Sequence, residues 1–326
     1  MNNWWDFIKQ TWPPRPKFTE KELSDQAGKV FIVTGSTSGV GRELARILYS
    51  KNAKVYVAAR SPEKATKTID DIKTRHPSST GAVAFLRFDF EDLTTIRGAA
   101  TEFLSRETRL DVLWNNAAVL IPPKGSKTKQ GFELQLGVNT LAPFLFTKFL
   151  TPILVQTAKI SPPGSVRVMW VSSSAAYLFA PTGGVEIQQL EDTSDRSPVY
   201  MYGVSKAGNA FHCLHFAKLH GKDGIISTSG NPGNLRSGLQ VHIPWWGRIL
   251  TNSISYDPIY GAYTELFGGL SPDIDMQNNG AWIIPWGRIG KLRQDLAEAG
   301  KSKDEGGSGL AEEFWKWCEE QVKEYL

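Results

Sequence analysis

The sequence predicts a doubly wound α/β fold, in which helices cover both faces of a parallel sheet to give three αβα layers in a single domain. Short apolar runs of strand length alternate with helix-like segments along most of the 326 residues. The first run, KVFIVT at residues 29–34, is continuously apolar, as in a strand buried on both faces. No linker, composition break or internal repeat divides the chain.

The predicted elements follow in chain order, and most strands are separated from the next by a helix. The predicted strands are 29–34, 54–58, 82–88, 110–114, 166–171, 225–229 and 282–285. The predicted helices are 42–50, one that opens near Pro62, 93–106, 131–157 and 200–220. Pro62 suits a first helical turn because its missing N–H would have no partner there.

Three segments are distinguished: a lead at 1–27, the main domain at 28–290 and a C-terminal extension at 291–326 with an amphipathic helix. In the lead, Trp4, Ile8 and Trp12 recur every four residues, which indicates a helical stripe that prolines then end. We expect this stripe to dock onto the main domain. A membrane-interface helix is the alternative, although Lys9 is its one basic residue. Disorder is the third interpretation.

Composition sets limits on the function. Hydrophobic residues make up 41% and charged residues 21%, and the net charge of +4 gives no support for a nucleic-acid partner. No run reaches the ~18 apolar residues of a membrane span, and no secretory signal is visible. The two cysteines, Cys213 and Cys318, form no disulfide framework. We therefore expect a cytoplasmic protein without membrane binding.

A glycine-rich turn follows the first predicted strand and opens a helix. In it, Gly35 permits the sharp turn, Gly39 admits a pyrophosphate close to the backbone, and Gly41 lets the helix pack closely. The helix N-terminus offers free N–H groups and positive partial charge to phosphates. The turn predicts a dinucleotide site, which would include Ser36, Ser38 and Val40.

The residue at the end of the second strand selects the cofactor. NAD sites commonly carry a carboxylate there, whereas this chain has Arg60. A guanidinium can hold a ribose 2′-phosphate in a bidentate pair, so the sequence favours NADP(H). The alternative is that Arg60 is a solvated charge at a strand end.

Tyr202 and Lys206 lie four residues apart on one predicted helix and therefore share a face. An ammonium nearby favours tyrosinate, so we expect Lys206 to lower the pKa of Tyr202 toward neutrality. Tyr200 has Val204 at the same offset and lacks such a partner. His212 and His215 have a metal-like spacing, but no Asp or Glu joins them on the helix, so no metal is predicted.

The order of these motifs resembles that of the short-chain dehydrogenase/reductase family, which has the Rossmann fold. The resemblance covers roughly residues 28–290, and the run 131–154 is most similar to the retinol dehydrogenase-like branch, including its fungal members. Besides the glycine turn, the matching residues are Asp89, Asn115-Asn116-Ala117-Ala118, Asn139, Val171-Ser172-Ser173, Tyr202-x3-Lys206 and Asn231-Pro232-Gly233.

The resemblance implies a set of site residues. The implied catalytic residues are Asn139, Ser173, Tyr202 and Lys206, with Asn139 holding a water that relays protons to Lys206. The implied cofactor-binding residues are Gly35, Ser36, Ser38, Gly39, Val40, Gly41, Arg60, Asp89, Phe90, Asn116, Ala117, Tyr202, Lys206, Pro232, Gly233, Leu235 and Ser237. The residues alone leave the choice among Ser172, Ser173 and Ser174 open, and alignment with the family favours Ser173.

Two departures from the family pattern concern Ala118, which replaces a glycine, and the long interval from Ser173 to Tyr202, which predicts an extra loop at 175–199. After Gly233, an apolar segment at about 234–256, with Trp245 and Trp246, is expected to form a lid over the substrate. The alternative is that it packs on the C-terminal tail or a second subunit, and a homo-oligomer stays open.

The implied function is an NADP(H)-dependent carbonyl reductase or alcohol dehydrogenase that acts on a hydrophobic small molecule in specialised metabolism. The alternative is a non-redox protein, a sensor or a cyclase-like protein, that binds NADP(H) on the same fold. A protein that had abandoned redox chemistry would be expected to lose the tyrosine or the lysine, and both are present.

Overall fold

The computed structural model describes residues 10–236 and 255–326, which form an α/β fold around one sheet. Within this part of the chain the sheet has eight strands in the order β3-β2-β1-β4-β5-β6-β7-β8. Seven run parallel, and β8 is antiparallel to β7. The strands are β1 Val30–Thr34, β2 Lys54–Ala59, β3 Ala82–Arg87, β4 Val112–Asn115, β5 Val166–Val171, β6 Ile225–Gly230, β7 Trp282–Ile284 and β8 Arg288–Gly290.

Helices cover both faces of the sheet and complete the three predicted layers. The α-helices are α1 Gly39–Ser50, α2 Pro62–Arg75, α3 Thr94–Arg106, α4 Ala142–Lys159, α5 Ala175–Leu178, α6 Pro198–His220, α7 Pro258–Leu270, α8 Gln294–Ala299 and α9 Leu310–Val322. The helix before α4 starts at Leu134 and passes through a π-helical turn, Gly137–Leu141. Such turns occur often at functional sites.

Every residue of β1 is buried, because its side chains alternate between two hydrophobic cores. Phe31 and Val33 pack in the core under α1 and α7, whereas Ile32 packs in the core under α4, α6 and α9. The strand order reverses between β1 and β4, and parallel sheets bind ligands at the carboxyl ends of strands at such a switch point. The fold class predicted from the sequence is confirmed.

Four of the labelled elements were not predicted from the sequence: the helices α5, α7 and α8 and the strand β8. The α7 sequence, PIYGAYTELFGGL, contains three glycines, which weaken the helical pattern. Two of them allow close packing: a side chain at Gly269 would overlap the Trp114 ring, and one at Gly268 would meet the Met169 sulfur at 2.8 Å. The three residues of β8 are too few for a strand periodicity.

The helical stretch Leu134–Lys159 is long and apolar enough to cross a bilayer by length and composition. It passes through the core, and 72% of its most apolar window is buried inside the fold. This is the environment of a core helix in an α/β domain.

The chain before β1 lies against the domain as a strap, residues 10–26. Phe18 and Leu23 are buried in the core beside α7, and the Gln26 N–H donates to the Lys51 carbonyl at 2.7 Å. The predicted apolar stripe is wrong at Trp12, which is 62% exposed, because the strap docks through other residues. Trp4 and Ile8 lie outside the described residues. The C-terminal helix α9 packs through Phe314 and Val322, which are fully buried.

Replacing Gly269 by Ala tests the close packing of α7. The added methyl group would overlap the indole ring of Trp114, whose Nε1 donates to the Glu265 carbonyl at 2.9 Å. We expect the free energy of unfolding to fall by about 1–3 kcal/mol, measured by chemical denaturation. As the control, Gly98→Ala in α3 meets open space and should stabilise by about 0.5–1 kcal/mol. Equal effects of the two substitutions would contradict the packing argument.

Candidate active site

The glycine turn lies between β1 and α1, at the switch point of the sheet. Gly35 has a φ of +68° and Gly39 a φ of +57°, which glycine adopts without strain. A Cβ at Gly41 would lie 2.5 Å from the Asn116 amide nitrogen, so only glycine lets α1 approach this closely. Ser38 caps α1 in an extended conformation, while the Ser36 hydroxyl turns inward and donates to the Val33 carbonyl at 2.7 Å.

Thr34, the last residue of β1, ties this turn to the end of β4. Its hydroxyl accepts from the backbone N–H groups of Asn116 and Ala117, each at 2.9 Å, and donates to the Trp114 carbonyl at 3.1 Å. The Asn116 side chain donates to the Thr34 carbonyl at 2.7 Å. The two halves of the sheet are therefore joined where a dinucleotide of this fold class would lie.

Arg60 follows β2 at the surface, where it forms an ion pair with Glu91. Its side chain is 61% exposed, so it is accessible to a ligand phosphate. Asp89 is half-buried, and its carboxylate accepts from the Glu91 N–H at 3.0 Å. The Phe90 side chain is buried in the core, where it stacks on Phe88. Phe90 could therefore contact a cofactor only through its backbone.

These residues fit a dinucleotide. The 12-residue helix α1 begins at the glycine turn, where there is little side-chain bulk. Its first N–H groups have no partner within the helix and can bind phosphate oxygens. A cation, Arg60, lies beyond β2 where the adenosine ribose would be bound in this fold class. The half-buried Asp89 stands at the end of β3 beside it.

Three of the predicted catalytic side chains, Ser173, Tyr202 and Lys206, meet at the carboxyl end of β5. Ser173 is the second residue after β5, and its hydroxyl hydrogen-bonds to the Tyr202 hydroxyl. The Lys206 Nζ lies 5.7 Å from the Tyr202 ring centroid and donates to the Val171 carbonyl at 2.9 Å. Lys206 is almost fully buried, at 2% exposure.

The expected pKa of Tyr202 is not found. Burial raises the pKa of its hydroxyl to about 12, although the hydrogen bond from Ser173 lowers it. Burial also lowers the pKa of Lys206 to about 8. The expectation that Lys206 would lower the pKa of Tyr202 is wrong for this arrangement, because the ammonium faces the ring and the Val171 carbonyl, and desolvation of the hydroxyl dominates.

The three consecutive serines have different surroundings. The Ser172 hydroxyl is buried and donates to the Lys206 carbonyl at 2.6 Å, so it braces α6. Ser173 is half-buried beside Tyr202, and its oxygen accepts from the Ala175 N–H at 3.2 Å. This geometry places Ser173 at the tyrosine; its role in catalysis stays a prediction.

Asn139 lies in the π-helical turn and is fully buried. Its amide exchanges hydrogen bonds with the Val119 backbone, at 2.8 and 3.0 Å, and donates to the Ser205 hydroxyl at 3.1 Å. The side chain therefore fastens the loop after β4 to α6. The predicted relay water stays a prediction.

The turn at residues 231–233 follows β6. Asn231 is buried, and its side-chain oxygen accepts from the Gly233 N–H at 3.0 Å. Gly233 has a φ of +98° and lies over the Trp286 ring. Pro232 is half-buried, and Leu235 is buried where it pairs with Tyr256. Ser237, Trp245 and Trp246 lie outside the described residues, with most of the predicted lid.

The predicted extra loop at 175–199 is ordered beside Ser173. Arg293 fixes it by donating to the carbonyls of Tyr177, Ala180 and Pro181. Leu178 and Phe179, which follow Ser173 closely in the chain, are 49% and 45% exposed. Two exposed apolar side chains therefore lie within six positions of Ser173 in the sequence.

His212, which sequence spacing raised as a metal ligand, is enclosed by rings: it stacks on Phe144 at 5.1 Å and lies 5.0 Å from Trp170. Burial lowers the pKa of His212 to about 3, so it is neutral. Within residues 10–236 and 255–326, no three His, Cys, Asp or Glu side chains are grouped as metal ligands.

Glu265 on α7 is a buried acid that the sequence reasoning missed. It is 0% exposed, and neither carboxylate oxygen has a hydrogen-bond partner among the described residues. Burial raises its pKa to about 8, and the charge of Lys206 opposes that rise. No motif surrounds Glu265, so only a lone acid inside an apolar helix segment could have signalled it.

Comparison with known proteins agrees with this geometry. A family model described as short chain dehydrogenase matches residues 29–181. A short-chain dehydrogenase/reductase from Phomopsis amygdali is 50% identical over 322 residues, which cover 97% of this chain and 96% of that protein. An uncharacterized protein from Mycobacterium paratuberculosis has the same fold, with a TM-score of 0.70, 22% identity and coverage of 94% and 97%. So does an NADPH-bound carbonyl reductase from chicken fatty liver, with a TM-score of 0.61, 18% identity and coverage of 83% and 100%.

Glu265→Gln tests the buried acid through the pH dependence of stability. Because the native pKa of about 8 lies above the ordinary 4.5, the native state holds a proton that the unfolded state has lost between these values. The contribution of Glu265 to the free energy of unfolding therefore falls as pH rises from about 4.5 to 8, by up to ~1.4 kcal/mol per pH unit.

Glu265→Gln should remove this pH-dependent contribution. The free energy of unfolding of the variant should therefore rise relative to that of the wild type from about pH 4.5 to 8, and the difference should stay constant above pH 8. Denaturant unfolding at pH 5, 6, 7 and 8 measures the difference. Glu298→Gln, at an exposed carboxylate, is the control and should show no such trend. A Glu265→Gln difference that stays constant from pH 5 to 8 would mean that the native carboxyl ionises normally.

Proposed function

Because this chain belongs to the short-chain dehydrogenase/reductase family, we propose that it is an NADP(H)-dependent carbonyl reductase or alcohol dehydrogenase. It would transfer hydride between NADPH and a ketone or aldehyde of a hydrophobic small molecule. The observation that carries the proposal is the contact of the Ser173 and Tyr202 hydroxyls, with the buried Lys206 beside the Tyr202 ring. We propose in addition that the protein is cytosolic and acts in specialised metabolism.

When bound, the nicotinamide supplies the hydride. Tyr202 would donate a proton to the carbonyl oxygen of the substrate. Burial raises its pKa to about 12, so Tyr202 holds that proton at neutral pH, as an acid in the reduction must. The Ser173 hydroxyl, whose oxygen accepts from the Ala175 N–H, would turn its proton from Tyr202 to the substrate oxygen as negative charge develops there. Lys206 would bind the ribose through its remaining N–H donors.

Arg60 supports the choice of NADP(H), because an exposed guanidinium at the end of β2 can bind a 2′-phosphate. Glu91 competes for it, since the carboxylate neutralises the same cation. The exposed apolar side chains of Leu178 and Phe179, close to Ser173 in the chain, support an apolar or aromatic substrate. The non-redox alternative is disfavoured, because the tyrosine and lysine are present and meet in one site.

Tyr202→Phe tests the proposed acid. It keeps the ring that lies under Lys206 but removes the oxygen bonded to Ser173. NADPH affinity, measured by fluorescence titration, should stay within about threefold. NADPH consumption with a panel of ketones, aldehydes and quinones should fall by ~10²–10⁴ in kcat, because the positioned acid is lost.

Tyr200→Phe is the matched control on the same helix. The Tyr200 hydroxyl donates to Glu186 at 2.6 Å, away from Ser173, so this variant should keep kcat within about threefold. Tyr202→Phe activity within tenfold of the wild type would remove Tyr202 as the acid. If the wild type bound NADPH but reduced no compound of the panel, the result would favour a non-redox NADP(H)-binding protein.

Arg60 and Glu91 together test cofactor choice. Arg60→Ala should weaken NADPH binding about tenfold and leave NADH nearly unchanged, because only NADPH carries the 2′-phosphate. Glu91→Gln should strengthen NADPH binding by about two- to fivefold, since an exposed ion pair holds Arg60 only weakly. Calorimetric titration with both cofactors measures these shifts. Equal losses of NADPH and NADH in Arg60→Ala would show that Arg60 is only a strand-end charge.

A further inference from the structure

The strap reaches the turn at residues 231–233. The Asn231 Nδ2 donates to the Gln10 Oε1 at 3.0 Å, across 221 positions of the sequence. Both side chains are buried, with 8% exposure for Gln10 and 3% for Asn231. This bond lies at the carboxyl end of β6, beside the site, although Gln10 precedes the region matched by the family model.

The strap is also held further along. Arg288 donates through Nη2 to the carbonyls of Pro14 and Arg15, at 3.0 and 2.6 Å, and through Nη1 to the Pro285 carbonyl at 3.2 Å. Phe18 then packs edge-to-face on Phe267 of α7, with ring centroids 6.3 Å apart. Gln10 is therefore delivered to Asn231 by a segment with its own anchors.

Two partners together fix the orientation of the Asn231 side chain. Its Oδ1 accepts from the Gly233 N–H and its Nδ2 donates to Gln10, so the amide is fixed in one orientation from both ends. Without the Gln10 oxygen, a buried N–H would be left without a partner, which is unfavourable enough to make the amide rotate or the turn open. The turn also carries Gly233 over Trp286 in a left-handed conformation.

We propose that Gln10 is a positioning residue for the 231–233 turn, so that the N-terminal strap is a working part of the cofactor site. The effect on cofactor rests on the proposed function, since the turn lies at the carboxyl ends of the strands where this fold class binds its ligands. The effect on the turn itself does not depend on it.

The test compares three variants of the full chain. Gln10→Met keeps the length of the side chain and removes the acceptor. Arg288→Met releases the strap at its second anchor while leaving Gln10 intact. Trp12→Ala, at an exposed residue of the same strap, is the control. The readouts are hydrogen exchange of the peptide that contains residues 231–236, NADPH dissociation by fluorescence, kcat and thermal unfolding.

In Gln10→Met, exchange in residues 231–236 should quicken at least fivefold, because the Gly233 N–H loses its fixed acceptor. NADPH dissociation should rise about five- to tenfold and kcat should fall by a similar factor. Arg288→Met should show the same pattern more weakly, and Trp12→Ala none of it. If Gln10→Met fails to fold, Arg288→Met decides by the same readouts.

Unchanged exchange and NADPH affinity in Gln10→Met would overturn the proposal, including when the melting temperature falls, since that would be a purely structural role. A wild type that binds neither NADPH nor NADH would overturn the proposed function instead. In that case the exchange of residues 231–236 still decides whether Gln10 holds the turn.

Discussion

The site depends on a buried ammonium. Lys206 is withdrawn from water into the end of the sheet, and an unpaired charge there would be strongly unfavourable. Two groups stabilise this charge: the Val171 carbonyl and the face of the Tyr202 ring. Glu265 adds a negative charge only when it is ionised, above its pKa of about 8. The Val171 carbonyl also accepts from Asn209 at 2.9 Å, so one atom at the end of β5 orients two side chains of α6. Moving α6 would therefore disturb the whole catalytic set.

The second constraint is the closeness of backbone at the switch point. Gly35 and Gly41 carry no side chain where Ala117 and Asn116 approach, and Thr34 joins the two loops with its hydroxyl. The cofactor turn and the loop after β4 thus behave as one piece. Asn139 extends that piece to α6, because it binds the Val119 backbone on one side and Ser205 on the other. The tyrosine and lysine are held in register with the phosphate end by hydrogen bonds rather than by packing alone.

Sequence reasoning predicted the fold and selected Ser173, Tyr202 and Lys206, which lie together in the structure, because local patterns carry both kinds of information. A strand followed by a glycine turn is readable within a few residues, and so is the i, i+4 spacing of Tyr202 and Lys206. What it missed depends on long-range burial. The pKa of Tyr202, the burial of Glu265 and the exposure of Trp12 are set by residues far away in the chain. Periodicity cannot report which partner covers a side chain.

The bonds that fasten the strap also determine when the protein can be completed. Gln10 is synthesised before its partner Asn231, which follows 221 positions later, and Arg288 lies 274 positions after Pro14. Contacts between residues so far apart in sequence form late, because a long loop must close, at a cost in chain entropy, before the contacts stabilise the fold. The strap must therefore wait, without these partners, until β6 and β8 have been synthesised. A nascent chain released early, even with β1 to β6 in place, would lack the Arg288 anchor, so assembly of this site finishes with the last strand of the sheet.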